Sequence, residues 1–217
     1  MCGGGGALGS AIVAALLERG DRVVAVDRHP HDGPAVDGLS HEAIDLTSAE
    51  QVGAMWDRLE EAGDSPRWVV NAAGGFRPGT VAESEVDAVD FVAALNLGTA
   101  WWSCREAARR LPEGGAIVNV SSRSAVAGGS GAAAYSVAKA GVVRLTEILA
   151  AELRERRVRV NAILPSVIDT PANRESMSAE SLRNAVAPAD LASVIAFLLS
   201  DAAAAVTGAV VPVYGFA

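Results

Sequence analysis

Residues Ala116 to Lys139 read AIVNVSSRSAVAGGSGAAAYSVAK. An apolar strand over Ala116 to Val120 ends in two serines, and a loop of small residues then leads to Tyr135 and Lys139 at the opening of a helix. Tyr135 and Lys139 stand at i and i+4, so on a helix they share one face. A phenol ordinarily titrates near pH ~10 and is a poor acid or base at neutrality, but a nearby ammonium stabilises the phenolate. The pair can then exchange a proton with a substrate oxygen.

Working outward, helical and strand patterns alternate along the whole chain. A Gly-rich opening leads into a helix from Leu8 to Arg19 and a strand from Arg22 to Val26 that ends at Asp27. A short strand over Glu42 to Ile44 runs into Asp45, and Ser48 opens a helix whose Val52, Met55, Trp56 and Leu59 recur at helical spacing. Next come a strand over Arg67 to Val70, ending in Asn71-Ala72-Ala73-Gly74-Gly75-Phe76, and one long helix from Val86 to Leu111. The helix containing Tyr135 runs to Arg156. A strand over Val158 to Ile163, a polar segment from Ala172 to Asn184, a helix from Pro188 to Leu199 and a strand from Ala209 to Val213 complete the chain. This alternation predicts an α/β fold, a single-domain Rossmann-like doubly wound parallel sheet over residues 1–217.

The opening MCGGGGALGS is a turn that lets backbone approach a ligand closely, and the helix N-terminus after it favours an anion such as a pyrophosphate. Asp27, eighteen positions after Gly9, suits the ribose hydroxyls of a dinucleotide. In such folds the glycine turn follows a buried strand of about five residues, which Met1-Cys2 cannot supply. The first strand therefore reads as missing or truncated: the start lies upstream, the chain has been cut, or the sheet does without that strand.

A net charge of −8 argues against a nucleic-acid backbone or an anionic membrane surface as partner and favours a small-molecule substrate. No segment approaches the ~18 consecutive apolar residues of a membrane span. Cys2 and Cys104 are too few and too scattered for a disulfide framework, which points to a reducing cytoplasm. His29 and His31 lack acidic or cysteine partners at ligand spacing and, with His41, read as a solvated loop, so no metal is expected. Arg154, Arg156, Arg157 and Arg159, interleaved with Glu152 and Glu155, read as a solvated helix end. Trp56 reads as core, and Trp101 and Trp102 as core or subunit-interface anchors. Asn96 inside an apolar helix calls for a reason, because asparagine is a mediocre helix former.

Together the motifs resemble the short-chain dehydrogenase/reductase family over nearly the whole chain. Cys2 through Gly9 is similar to its TGxxxGxG turn, with Cys2 for the threonine and Ala7 for the middle glycine. Asn71-Ala72-Ala73-Gly74 is similar to NNAG, Ser122 stands thirteen residues before Tyr135, and Tyr135-x-x-x-Lys139 is YxxxK. The resemblance implies that Tyr135 is the proton donor or acceptor, and that Lys139 holds the nicotinamide ribose and depresses the Tyr135 pKa. It further implies that Ser122 orients the substrate carbonyl and that Asn96, through a helix irregularity and a water, completes a proton relay. Cofactor contacts implied in the same way are Gly3, Gly6, Leu8, Gly9, Asp27, Arg28, Asp45, Asn71, Ala73, Gly74, Tyr135, Lys139, Pro165, Ile168 and Thr170. Asp27 favours NAD, since a carboxylate repels a 2′-phosphate, while Arg28 beside it leaves NADP possible. Within the family, GGGGALGS, Ala73 to Phe76, Leu111 to Gly115 and Leu164 to Met177 are similar to the dihydropteridine reductases, which places Phe76 beside the substrate with Ser122 and Tyr135. Those enzymes lack the serine that Ser122 supplies here, and a serine suits an ordinary carbonyl or alcohol. The readings this leaves are an oxidoreductase on a carbonyl/alcohol pair or a quinonoid pterin-like ring, or a dinucleotide-binding sensor of the same fold. A homodimer or homotetramer is the assembly the family implies.

Overall fold

The computed structural model describes residues 1–30 and 33–216, and His31 lies outside them. Six strands are present among the described residues: β1 (Val23–Asp27), β2 (Leu39–Ala43), β3 (Trp68–Asn71), β4 (Ala116–Val120), β5 (Arg159–Pro165) and β6 (Val210–Val213). Every pairing is parallel, with β1 beside β2 and the order β3-β4-β5-β6 in the larger set. Parallel strands need covered faces, and side chains alternate across a strand, so β1, β3, β4 and β5 supply both cores. Val70, Val118 and Ile163 pack on one face against α1 (Ala7–Glu18) and α8 (Pro188–Leu199) through Ile12, Leu16, Leu191 and Ile195. On the other face, Val69, Ile117 and Val160 meet α2 (Ala49–Glu61), α4 (Thr99–Arg110) and α5 (Ala133–Glu152) through Val52, Trp56, Cys104, Val142 and Leu149. The doubly wound parallel sheet expected from the alternation is the one observed.

Where the first strand was expected, Met1 and Cys2 form a stub. Cys2 bridges Val26 on one side and Asn71 on the other. The Cys2 N–H donates to Val70 O at 2.9 Å, and Val26 N–H donates to Met1 O at 2.9 Å. These two residues bridge β1 to β3 and so join the two sets of strands.

Several boundaries differ from the sequence reading. The strand expected over Glu42 to Ile44 covers Leu39–Ala43, because Leu39 pairs with Val23 and an edge strand has an exposed side that apolar content does not mark. The long helix over Val86 to Leu111 divides into α3 (Val86–Ala93), a π-helical turn (Ala94–Gly98) and α4. The polar segment holds two short helices, α6 (Pro171–Ser176) and α7 (Ala179–Leu182), each capped by a hydroxyl, Thr170 on Asn173 N and Ser178 on Ser181 N. Trp56 is core at 3% exposure, Trp102 packs partly buried against that cluster, and Trp101 stands 49% exposed.

The arginines expected to form a solvated helix end do not all do so. Arg156 donates to Ala108 O and Leu111 O, and Arg159 to Leu198 O and Ser200 O. Carbonyls at the ends of α4 and α8 lack helical partners, and these guanidinium groups satisfy them while their stems are buried. Replacing Arg159 by Met should leave two carbonyls unmet and cost about 1–3 kcal/mol. Thermal unfolding should then show Tm lowered by several degrees, with the far-UV spectrum unchanged.

Candidate active site

The carboxyl ends of the strands converge on one edge, where open α/β sheets collect ligands. At the end of β4, Ser121 Oγ donates to Lys139 O at 2.8 Å, and Lys139 Nζ donates to Val120 O at 3.0 Å. These two bonds pin the strand end to α5, which carries Tyr135 one turn before Lys139. The ammonium lies 5.8 Å from the Tyr135 ring centre.

Lys139 is 4% exposed, and burial pulls its pKa down to about 8. Tyr135 is shifted the other way from the sequence expectation. Burial pushes the phenol up from its ordinary value, and the hydrogen bond with Ser122 opposes that only in part. Lys139 spends its bond on Val120 O rather than on the phenol, so burial decides the direction. The phenol is thereby kept protonated at neutral pH, which suits a proton donor. Ser122 Oγ also accepts from Ser124 N and Ser124 Oγ, at 3.2 and 3.0 Å, which fixes its side chain at the start of a short 3₁₀ turn.

The π turn accounts for Asn96. A wide turn leaves room for its side chain to fold back: Nδ2 donates to Val92 O at 2.9 Å and to Gly75 O at 2.8 Å, while Oδ1 accepts from Gly75 N at 3.3 Å. Asn96 thus clamps the loop after β3. A Cβ on Gly74 would lie 2.7 Å from Asn96 Oδ1 and 3.3 Å from Lys139 Nζ, so only glycine lets the loop pass between them. Phe76, 59% exposed, sets its ring edge-on to Tyr135 with centres 5.3 Å apart.

Next to this wall is a cavity of about 270 Å³ lined by Gly3, Gly6, Asp27, Asp45, Ala73 and Gly74, among others. Gly3 has φ +82° and a Cβ there would fall 2.7 Å from Ala73 N; a Cβ on Gly9 would fall 2.0 Å from Gly3 O. The turn is therefore built for close backbone approach at the N-terminus of α1, the arrangement that fits a pyrophosphate. Ala7, in the place of the middle glycine, is the first residue of α1 and exposed, so its methyl does not fill the turn. Leu8 packs partly buried against the α1–α8 core.

Asp27 accepts from Gly5 N at 3.0 Å and from Arg28 N at 2.7 Å, so its carboxylate sits over the turn. Arg28 reaches Asp45 at 3.5 Å. Bonds from Thr47 hold the Asp45 carboxyl below its usual range, with Arg28 adding to that. Asn71 departs from the expected set. Its amide turns into the core, donating to Asn119 Oδ1 at 2.8 Å and Cys104 Sγ at 3.3 Å, because its position in β3 faces α4. Pro165 ends β5, Ile168 bridges Val186, and Thr170 caps α6, so these three line the loop above the β5 end rather than the cavity. Leu95 and Thr99, which also line the cavity, were absent from the sequence reading. Only the π turn turns them toward it, and no sequence signal marked that turn beyond Asn96 itself.

Below pH 8 the folded chain must bury a charged lysine, so Lys139 opposes folding there. As pH rises from about 8 toward the unfolded value of 10.5 the folded state loses its proton first, and stability increases. Lys139→Met should raise Tm at pH 7 by a few degrees. Its advantage over the parent should shrink toward pH 10, measured by thermal unfolding at both pH values.

Residues 5–215 match the family model described as enoyl-(acyl carrier protein) reductase. The chain is 33% identical to galactitol 2-dehydrogenase of Rhizobium johnstonii, covering 97% of this chain and 91% of that protein. It is 31% identical to D-threitol dehydrogenase of Mycolicibacterium smegmatis, covering 95% and 87%. It superposes on 4-hydroxyisoleucine dehydrogenase complexed with NADH with a TM-score of 0.87 at 29% identity, covering 99% and 95%. With a doubly wound parallel sheet, a glycine turn opening α1 and tyrosine and lysine one turn apart on α5, the chain belongs to the short-chain dehydrogenase/reductase family and is an NAD(P)-dependent oxidoreductase.

Proposed function

We propose that the chain interconverts a small secondary alcohol and its ketone, with Tyr135 as the proton donor in reduction and the acceptor in oxidation. The observation that carries this reading is the shared wall: Ser122 bonded to a phenol that burial keeps protonated, with Lys139 beside it. Bound nicotinamide supplies or accepts the hydride. The Gly3–Gly6 turn and the α1 N-terminus would hold its pyrophosphate, Asp27 the adenosine ribose, Lys139 the nicotinamide ribose, and Ile168 and Thr170 the carboxamide end. In reduction Tyr135 Oη gives its proton to the alkoxide as it forms, and Ser122 Oγ donates to the same oxygen. Lys139 supplies positive charge that favours the tyrosinate left behind, and Asn96 keeps the β3 loop in place, with a water completing the relay. A carboxylate already seated over the turn, with Arg28 drawn to Asp45, supports NAD over NADP.

The named activities of the relatives make a polyol the first substrate to try. A second reading, a quinonoid pterin-like ring, is favoured by the exposed Phe76 beside Tyr135, which offers a flat ring an aromatic neighbour. The 217 residues would act as one dinucleotide-binding catalytic domain. Two free buried cysteines suit a reducing cytoplasm, and no helix among the described residues is long and apolar enough to cross a membrane.

Tyr135→Phe should lower kcat by about 10²–10⁴. Fluorescence titration should show NADH binding retained and tighter than NADPH binding. Turnover equal to the parent would remove Tyr135 from the reaction, and a screen pairing ketones and polyols with quinonoid dihydropteridine would choose between substrates. We further propose that two or four copies associate through α4 and α5, where Trp101 and Ile148 stand 49% and 46% exposed. Light scattering should report a dimer or tetramer, and Trp101→Glu a smaller species.

A further inference from the structure

Arg123 follows Ser122 directly and opens the 3₁₀ turn Arg123–Ala125. The backbone of that turn is fixed: Ser122 O accepts from Ala125 N at 3.0 Å, and Arg123 O accepts from Val126 N and Ala127 N at 3.1 and 3.0 Å. From this anchored start the exposed side chain reaches Tyr214, just past β6, where the guanidinium carbon lies 5.1 Å from the ring centre. Tyr214 is held in turn, since its carbonyl accepts from Ser166 Oγ at 3.0 Å beyond the end of β5.

Arginine in this acidic chain usually meets a carboxylate. Arg19, Arg22, Arg28, Arg58, Arg110 and Arg174 each do so, whereas among the described residues the Arg123 guanidinium has only the ring. A ring face attracts the cation but takes none of its five N–H donors, which form a planar fork suited to two oxygens at once. Asp169, in the loop after β5, is already occupied by Arg174 through bonds of 2.6 and 2.7 Å. The anionic parts of a dinucleotide do not reach Arg123 either. The glycine turn and Asp27, proposed above to hold the pyrophosphate and the adenosine ribose, lie at the ends of β1 and β3, while Tyr214 lies at the far edge of the order β3-β4-β5-β6. A cation one residue from Ser122 is therefore fixed in place with its donors unused by the fold.

We propose that Arg123 is a substrate-recognition residue that binds a carboxylate carried by the alcohol or ketone whose oxygen meets Ser122 and Tyr135. This rests on the reading of Ser122 and Tyr135 given above and narrows it to a hydroxy acid and its oxo acid, ahead of a neutral polyol. A guanidinium with one face on a ring and its N–H edge free matches one planar carboxylate through two parallel bonds. Tyr214 is the positioning residue, because the ring holds the fork in one place before substrate arrives. Arg77, held over the ring of Phe91 on α3 at 4.3 Å, carries the same charge one residue past Phe76 and serves as the control.

The test titrates 2-oxopentanoate and 4-oxopentanoate, each beside its amide, into the chain saturated with NAD, and reads binding by calorimetry. A ketone has no hydride to receive there, so recognition is measured without turnover. At least one of the acids should bind about 10–100-fold more tightly than its amide. With Arg123→Gln that preference should vanish, with Arg123→Lys part of it should return, and with Arg77→Gln it should persist. The ratio of acid to amide cancels any general loosening of the site, which a merely structural role for Arg123 would produce. Equal binding of acid and amide by the parent, no measurable binding of either acid, or a preference that survives Arg123→Gln would overturn the proposal. An equal loss with Arg77→Gln would also overturn it, by assigning the preference to the general field of the site. Failure of Tyr135→Phe to alter turnover would leave the calorimetric result standing.

Discussion

A buried ammonium must be met by an acceptor, and Lys139 meets the carbonyl of Val120. That single requirement brings the end of β4 against the first turns of α5 and so decides where Tyr135 stands. Ser121 doubles the tie by bonding the Lys139 carbonyl. The loop after β3 must then thread between Lys139 and Asn96, which leaves no room for a Cβ at Gly74. Two strand ends and a helix are thus referred to one nitrogen atom. A charge that destabilises the fold at neutral pH is thereby held 5.8 Å from the Tyr135 ring centre.

The architecture was legible because its signals are local. Apolar runs such as AIVNV and the i, i+4 spacing of Tyr135 and Lys139 depend only on neighbours in sequence, and β4 and α5 follow from them. What was not legible depends on distant partners. The direction of the Tyr135 shift is set by the burial that tertiary packing imposes, and the inward turn of Arg156 and Arg159 depends on helix ends some 40 residues away. Asn71 belongs to a motif at the ligand edge, yet the parity of its place in β3 aims its amide at Asn119 and Cys104. The bounds of the edge strand β2 shifted for a related reason, since its outer side has no packing to record. Asn96 was the one irregularity that composition could flag, as a poor helix former in an apolar helix.

The core between β3, β4 and α5 is not wholly apolar. Asn71 bonds Asn119, Asn119 Nδ2 donates to Thr146 Oγ1 at 2.9 Å, and Thr146 Oγ1 donates to Val142 O at 2.9 Å. Directional bonds of this kind cost more when misaligned than apolar contacts do, so they fix the register of strand against helix. They do so one layer beneath the site, where a slip of β3 past β4 would carry Gly74 away from Lys139.

The π turn at Ala94–Gly98 adds one residue to a helix that otherwise runs from Val86 to Arg110. Deleting any single residue there would restore ordinary winding and rotate everything beyond it by about 100°. Glu106, now 1% exposed, would lose its buried place, Arg110 would turn away from Asp57 and Glu60 on α2, and Cys104 would leave the sheet. The length of this segment is consequently as constrained as its composition: a substitution along it acts on its own neighbours, whereas a change in residue count would reassign every face of α4 at once.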